Sequence, residues 1–373
     1  MQRIRLTLEG RKDSSYDLLI GRGILSSLHR EIQRLGSFSF YGLVTDEVVR
    51  PLVAEPLLEE LKSYGIKTAL FTLPAGEATK TMDTVVDLCH ELTTLSFDRK
   101  SLLIAVGGGV IGDITGFAAA IYMRGIRYIQ VPTTLLAQVD SAIGGKTGVD
   151  LPSGKNLLGA FHQPLLVLAD PDVLGTLPPD AMRDGFAEII KSALIGQPKL
   201  FSILEMEGAN LLNADNPMLE NIIADACSVK CRVVSQDELE AGLRRILNFG
   251  HTLGHALEAA SNYKISHGHA VAAGMGAAVQ FSRQWAGLTS DEADRALSLI
   301  RKLGLPTELP ADVDVNSLLV ALERDKKIQA GICHFVLISK IGQAIIHPIS
   351  VEDLRQSLTQ IQGFRDSGIQ GFQ

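Results

Sequence analysis

The chain has 373 residues, of which 46% are hydrophobic and 21% charged, with a formal net charge of −7. That length favours two domains, each able to bury its own core, and the composition excludes a disordered chain. The negative balance gives no support to nucleic-acid binding, but it leaves an anionic substrate open, because local basic residues set a pocket's potential.

Met1 to Lys12 has no apolar run long enough for a signal peptide. Arg3-Ile4-Arg5-Leu6-Thr7-Leu8 alternates, a polar turn follows, and Tyr16 to Gly21 returns, which predicts a β-hairpin. Residues 24–35 read as a helix. Phe40 to Asp46 is an apolar run ending in an acid, as a buried parallel strand would be. A helix at 51–64, a strand at 67–73, a helix at 81–95 and a strand at 101–106 follow. Leu102 to Met123 is the most apolar window, but it contains Asp113 and five glycines, so it reads as core strand plus helix rather than a membrane span. A helix at 112–122, a strand at 128–131 and a helix at 134–141 complete the alternation. Alternating β and α elements argue for an open parallel sheet covered on both faces.

Near Asp180 the character changes. Helical periodicity dominates over 180–195, 199–206, 217–235, 250–262, 268–286 and 290–303. Thr307 to Pro310 reads as a linker, 315–324 as a helix, Ile332–Leu337 with Ala344–Ile349 as a hairpin, and Val351–Gln362 as a closing helix. From Gly363 to Gln373 no periodic pattern remains, and a mobile tail is expected. The expected division is 1–179 and 180–373. Cys227 and Cys231 stand four apart in a helical pattern; with no CxxC pair they read, like Cys89 and Cys333, as buried small hydrophobes. So few cysteines fit a reducing compartment, and a cytoplasmic location is expected.

Gly107-Gly108-Gly109-Val110-Ile111-Gly112-Asp113 follows a strand and opens a helix. Glycines let a backbone approach a pyrophosphate, and a helix N-terminus favours its charge. No acid stands about twenty residues later to meet a ribose. Asp46 and Glu47 end one strand and Pro74 to Lys80 follow another, so acids there, Glu77 among them, are either ribose partners or solvated loop acids. Gly144-Gly145-Lys146-Thr147 suggests a P-loop, but GxxxxGKT would need glycine where Asp140 stands. Lys146 is better read as a cation for phosphate or carboxylate. Lys155, in the polar turn Ser153-Gly154-Lys155-Asn156, is either a similar cation or simply solvated.

The helical half carries three clusters: Ala187-Glu188-Ile189-Ile190-Lys191, Leu247-Asn248-Phe249-Gly250-His251-Thr252-Leu253-Gly254-His255 and Ser266-His267-Gly268-His269. On a helix His251 and His255 share a face. That spacing suits two metal ligands, or one ligand and one acid/base. Thr252 stands where a zincin HExxH needs Glu. Three protein ligands and an open position would make a catalytic zinc site. Glu188 and Lys191, three apart, form either a surface pair or two groups facing one pocket.

Pro74 to Lys80, Gly107 to Asp113, Tyr122-Met123-Arg124-Gly125, Pro132 to Gly148, Gly154 to Phe161, Ala187 to Lys191, Leu247 to His255 and Asp325-Lys326-Lys327 together, in order, resemble the 3-dehydroquinate synthases, within the sugar-phosphate cyclases. These segments cover about residues 40–330. The resemblance implies an α/β fold with an N-terminal Rossmann-like parallel-sheet domain that holds NAD. A C-terminal, mainly α-helical domain would supply the metal ligands, with the active site in the cleft between the two. It is the resemblance, not spacing, that selects His251 over His255 as a ligand and adds His267 beside Glu188, for Zn2+ with Co2+ as the alternative. The matching cofactor residues are Asp46, Glu77, Lys80, Gly108, Gly109, Val110, Asp113, Thr133, Thr134, Lys155 and Thr176. Arg124, Asp140, Lys146, Asn156, Lys230 and one of Lys326 or Lys327 match substrate binders. Arg244, Lys191 and Asn248 match polar catalytic residues, and His255 matches the proton-transfer histidine.

The implied enzyme is an NAD- and metal-dependent carbon–oxygen lyase acting on 3-deoxy-D-arabino-heptulosonate 7-phosphate. A ring hydroxyl is oxidised to a ketone, which acidifies the adjacent C–H. Phosphate leaves by β-elimination, the hydride returns, the ring opens and an intramolecular aldol step gives 3-dehydroquinate and phosphate. A homodimer is implied, with no nucleic-acid or membrane partner. The chain departs from the usual His-Gly-Glu-Ala-Val at His267-Gly268-His269-Ala270-Val271, and Ser192 stands where an aromatic residue is common. Sister cyclases that make aminodehydroquinate, valiolone or inosose rings share fold and cofactors; some replace the residues matching Asn248 and His255, both kept here. A metal-dependent polyol dehydrogenase of related fold is the enzyme alternative, and a sugar-phosphate-binding module with a dead site is the non-enzyme one.

Overall fold

The computed structural model describes residues 1–8, 14–261, 263–310, 313, 315–324, 328–329 and 331–368. The chain forms two compact units, Met1–Met182 with Asn213–Glu240, and Arg183–Leu212 with Ala241–Gln373. That division differs from a single cut at 179/180 in the segment 213–240, which groups with the first unit.

The first unit is built on a seven-stranded sheet. Its strands are β1 (Gln2–Leu6), β2 (Tyr16–Ile20), β3 (Tyr41–Asp46), β4 (Thr68–Leu73), β5 (Leu102–Gly107), β6 (Arg127–Pro132) and β9 (Leu166–Ala169), in the order β1-β2-β9-β6-β5-β3-β4. β1 pairs antiparallel with β2 as the hairpin expected at 3–21, and every other pairing is parallel. Helices α1 (Leu28–Leu35) and α2 (Glu55–Ser63) pack on one face, where Ile32 and Leu57 meet Leu43, Ile104 and Leu168. Helices α3 (Met82–Thr94) and α4 (Gly109–Ile121) pack on the other, where Leu88 and Ile114 meet Val44, Leu103 and Ala105. Successive residues of β3 and β5 thus feed opposite cores, which is why these strands read as unbroken apolar runs. The chain reverses its direction of winding between β3 and β5, and ligands of such sheets sit outside the carboxyl ends of the strands at that point.

Three strands expected from no pattern are present in this unit. β7 (Lys146–Leu151) and β8 (Gly154–Phe161) form an antiparallel hairpin with its register shifted between Val149 and Leu151. The polar turn expected at 153–156 is therefore tighter, and Lys155 and Asn156 already lie in β8. β9 is a short, fully buried apolar run whose sequence carries no alternation to read. The helix expected at 134–141 ends in a wide π-turn at Ala137–Ser141. α7 (Leu219–Gln236) belongs to this unit, packing against β1 and that π-turn.

The second unit is mainly helical. It holds most of α5 (Pro179–Gly196), then α6 (Pro198–Glu207), α8 (His251–Ala260), α9 (His267–Trp285), α10 (Ser290–Lys302) and α11 (Val315–Arg324). A small antiparallel sheet of β10 (Ile328–Gln329), β11 (Ile332–Lys340) and β12 (Gln343–Ser350) precedes α12 (Val351–Gly368). The core gathers Leu253 and Leu257 of α8, Ala273 and Phe281 of α9, Leu318 of α11, Phe335 of β11 and Leu354 of α12. α10 starts with a reciprocal cap: Thr289 Oγ1 accepts from Glu292 N at 3.3 Å and donates to the Glu292 carboxylate at 2.9 Å. α12 runs six residues past Gln362, so the tail expected from Gly363 is helical through Gly368, since each added residue of an established helix gains a hydrogen bond. Residues 369–373, and Asp325, Lys326 and Lys327, lie outside the described residues.

Candidate active site

In the second unit, α5 carries Glu188 and Lys191 three residues apart, and both are buried, 1% and 2% exposed. That settles the choice between a surface pair and a pocket pair in favour of burial. Gly250, at φ 79°, turns the chain into α8, so His251 is the first helical residue. His267 likewise opens α9. Two helix starts therefore bring imidazoles to one carboxylate on a third helix. His251 Nε2 and His267 Nε2 each lie 3.3 Å from Glu188 Oε1. Lys191 Nζ lies against Glu188 Oε2.

Ligand atoms of Glu188, His251 and His267 all fall within 4.8 Å of one another. Both Glu188 oxygens are buried without a hydrogen-bond partner, so the surrounding groups are close but not aligned to satisfy them. An orphaned buried carboxylate facing two ring nitrogens is what a divalent cation with one oxygen and two nitrogen ligands would satisfy. Burial pushes the Glu188 carboxyl up, but the Lys191 cation and then His251 pull it well below the usual carboxylate range. It is ionised, as a ligand must be.

The two imidazoles are held differently. His251 Nδ1 is 3.2 Å from the Phe249 carbonyl oxygen, and burial, with Lys191 nearby, lowers its pKa, so the neutral ring presents Nε2 inward. His267 Nδ1 is 3.3 Å from Glu258 Oε2. Burial works against charge on that ring, but without a cation the Glu188 and Glu258 carboxylates on its two edges raise its pKa to about 10, and a metal ion would displace the Nε2 proton on binding. His255 stands edge-on to His251, ring centroids 5.3 Å apart. It also falls in a second group of potential ligand atoms with Glu258 and His267. Sequence reasoning missed Glu258, although His251, His255 and Glu258 at i, i+4 and i+7 share a helix face. His269 stays out of both groups and pairs through Nδ1 with Asp184 Oδ1 at 3.0 Å. Arg244, 2% exposed, and Asn248 lie in a 3-10 turn, Leu243–Asn248, just before α8, and Ser192 is buried.

In the first unit, the glycines after β5 lead into α4 with Gly108 at its N-cap. A side chain on Gly109 would put its Cβ 2.9 Å from Ser141 Oγ and crowd this turn. Thr133 Oγ1 and Ser141 Oγ are buried there without partners, while Thr134 Oγ1 accepts from Ala137 N at 3.1 Å. Free helix N–H groups beside unpartnered hydroxyls suit the pyrophosphate of a dinucleotide. Ser141 was another residue the sequence did not reveal.

One polar network joins several expected site residues. Lys80 Nζ is 2.6 Å from Asp113 Oδ2 and donates to Asn156 Oδ1 at 2.6 Å. Asn156 N donates to Asp150 Oδ1 at 2.7 Å, and the left-handed conformation at Asn156, φ 55°, is one asparagine tolerates. Lys155 Nζ lies 3.5 Å from Glu77 Oε1. Asn156, expected to meet substrate, thus bonds directly to Lys80, expected to meet cofactor. Burial raises the Asp113 pKa to about 6, against the pull of Lys80 and with help from Glu77 and Asp150. Lys230 Nζ reaches Asp140 Oδ1 at 2.6 Å, and Lys146 Nζ pairs with Glu240. Arg124 is exposed and, like Met123 before it, has positive φ. Two expected residues are held by local backbone instead: Asp46 Oδ1 accepts from Val48 N and Val49 N, both at 2.9 Å, and Thr176 Oγ1 donates to Val173 O at 3.1 Å.

Comparison with known proteins agrees across both units. Residues 70–184 match the N-terminal family of 3-dehydroquinate synthase, and 185–328 match its C-terminal family. A 3-dehydroquinate synthase of Symbiobacterium thermophilum is 43% identical over 353 residues, 94% of this chain and 99% of that one. The chain belongs to the 3-dehydroquinate synthase family. Its activity is 3-dehydroquinate synthase, a lyase step of the shikimate pathway acting on a sugar phosphate, which answers both the dehydrogenase and the dead-site alternatives. Two solved structures extend the fold to sister cyclases. A 2-deoxy-scyllo-inosose synthase complexed with carbaglucose-6-phosphate, NAD+ and Co2+ superposes with a TM-score of 0.87 at 27% identity, covering 96% of this chain and 100% of that one. The 2-epi-5-epi-valiolone synthase of Streptomyces hygroscopicus subsp. jinggangensis 5008, with NAD+ and Zn2+ bound, gives 0.85 at 31% identity, covering 94% and 97%. Among the described residues, no helix is long and apolar enough to cross a membrane.

Proposed function

We propose that the chain converts 3-deoxy-D-arabino-heptulosonate 7-phosphate to 3-dehydroquinate with NAD on its first unit and one divalent cation, zinc or cobalt, held by Glu188, His251 and His267. The observation that carries the reading is the convergence of those three ligand atoms within 4.8 Å around a buried carboxylate that has no hydrogen-bond partner. Bound there, NAD would accept a hydride from the ring carbon that bears a hydroxyl, whose O–H gives up a proton, and would later return it; the cation would polarise the oxygens at that carbon.

The protein's own residues bind and orient. Gly108, Gly109 and Val110 offer backbone N–H groups to the dinucleotide, with Thr133, Thr134, Asp113 and Lys80 around them; Asp46, Glu77, Lys155 and Thr176 complete the assignment. Arg124, Lys146, Lys230, Arg244 and one of Lys326 or Lys327 bring positive charge to a substrate that carries both carboxylate and phosphate. Asp140, which holds the Lys230 ammonium, keeps that cation in place. Lys191 offsets the negative charge of Glu188, Asn248 hydrogen-bonds the sugar, and an imidazole nitrogen of His255 moves a proton. Loss of the proton beside the new ketone and departure of phosphate then need no further group, since the leaving phosphate's own oxygens accept the proton. A cytoplasmic homodimer completes the reading, and sedimentation should return twice the mass of the single chain.

The test is a phosphate-release assay with the heptulosonate phosphate, beside its amino analogue and sedoheptulose 7-phosphate. Phosphate should appear with the first substrate and no net growth of NADH absorbance. Faster release from either of the other two would reassign the chain to a sister cyclase. His251→Ala should fold but bind no zinc and release no phosphate; wild-type turnover in that variant would remove His251 from the ligand set.

A further inference from the structure

We propose that Glu258 is the positioning residue that aims His267 at the metal, an inference that rests on the ligand set proposed above. Glu258 lies on α8, is 5% exposed, and stands on the side of the His267 ring opposite Glu188. Its Oε2 is 3.3 Å from His267 Nδ1, while His267 Nε2 is 3.3 Å from Glu188 Oε1. The ring is therefore spanned by two buried carboxylates: Glu188 belongs to the ligand set proposed above, and Glu258 to the second group, with His255. With Nδ1–H donated to Glu258, the Nε2 lone pair is the one left for a cation.

His251 begins a helix directly after Phe249 and Gly250, so its Nδ1 reaches a backbone carbonyl two residues away. His267 opens α9 after Ser266, and its Nδ1 partner comes from a different helix. Its ring is also the more exposed of the two, 30% against 8%. A half-buried ring at a helix start has rotamer freedom that a carboxylate partner removes. Such a partner also makes the imidazole a stronger donor, and loss of an outer partner of this kind typically costs about 10- to 100-fold in metal affinity. With the cation on Glu188, His251 and His267, the proposal has Glu258 act on metal affinity through His267.

That last point makes the proposal testable by a double-mutant cycle on metal affinity, measured by competition with a chromophoric chelator on the purified full chain. Glu258→Ala should weaken zinc binding about 10- to 100-fold, and Glu258→Gln, which keeps an acceptor oxygen but not the charge, should weaken it less. In a His267→Ala background, Glu258→Ala should change affinity by less than about twofold. With Co2+ in place of zinc, the d–d absorption band should shift in Glu258→Ala and return towards the wild-type position in Glu258→Gln. Equal losses in both backgrounds, or wild-type affinity in both Glu258 variants, would overturn the proposal. If Glu258→Ala does not fold, Glu258→Gln alone decides: a reproducible loss of affinity at an unchanged melting midpoint supports it, and wild-type affinity sinks it. His267→Ala binding zinc like the wild type would instead overturn the ligand set itself, an outcome distinct from failure of the Glu258 assignment.

Discussion

Single side chains set the chemistry here through what surrounds them. Asp113 is an acid whose burial outweighs its Lys80 partner, so its pKa rises to about 6 from an ordinary 3.8. The folded chain then binds more protons than the unfolded one between those values, and stability falls as pH rises through that window. In urea titrations at a series of pH values, wild type should lose up to about 3 kcal/mol relative to Asp113→Asn between about pH 4 and 6. The difference should be flat above that; parallel curves throughout would mean Asp113 does not titrate there. Lys146 is half exposed and paired with Glu240, so removing it should cost the fold less than about 1 kcal/mol. Its charge matters to an anionic ligand instead: Lys146→Ala should weaken substrate binding about 10-fold or more, at roughly 1.5–3 kcal/mol for a charged hydrogen bond, and leave NAD binding unchanged. Calorimetric titration with each ligand separates the two, and equal losses would refute the assignment.

Helices and strands decide where those side chains stand. α8 and α9 approach through glycine: a Cβ on Gly274 would overlap the Gly250 carbonyl oxygen and come 2.9 Å from Gly254 N. Gly250 is the residue that turns the chain into His251, so the helix spacing and the ligand position are one constraint. Gly274→Ala should destabilise by about 1–3 kcal/mol as an overpacked contact and weaken zinc binding as well, read by denaturant unfolding and chelator competition. An alanine variant with unchanged metal affinity would show that His251 does not depend on this contact. Elements with a strong period were legible beforehand: α3, α10 and α5 lie within a few residues of 81–95, 290–303 and 180–195. The β7–β8 hairpin was not, because its glycines, Lys155 and Asn156 read as turn residues and Leu157 and Leu158 face outward, erasing the alternation that marks a half-buried strand.

At the scale of the molecule, each unit has an apolar core that contains none of the proposed metal ligands. Without the cation, Lys191 still balances Glu188, so no buried charge is left uncompensated. Stripping the metal with a chelator should therefore leave the far-ultraviolet circular dichroism unchanged and abolish phosphate release, and added zinc or cobalt should restore it. Unfolding on chelation would show that the cation holds the second unit together. The parallel sheet with a glycine-rich turn after β5, and a separate helical half, were legible because periodicity and turn chemistry are local properties of a chain.

Residue type and spacing singled out the clusters that hold Glu188, His251, His255 and His267 but left their roles open, and family resemblance proposed those roles. Neither could say that Glu258 stands behind His267, that His269 turns to Asp184, or that Asn156 bonds Lys80. Those pairings join residues whose separation along the chain, from nine to 85 positions, carries no pattern a reader can use. Helix and strand periods are written into neighbouring residues, whereas the partner of a buried polar group depends on which elements pack together, and only the folded chain decides that.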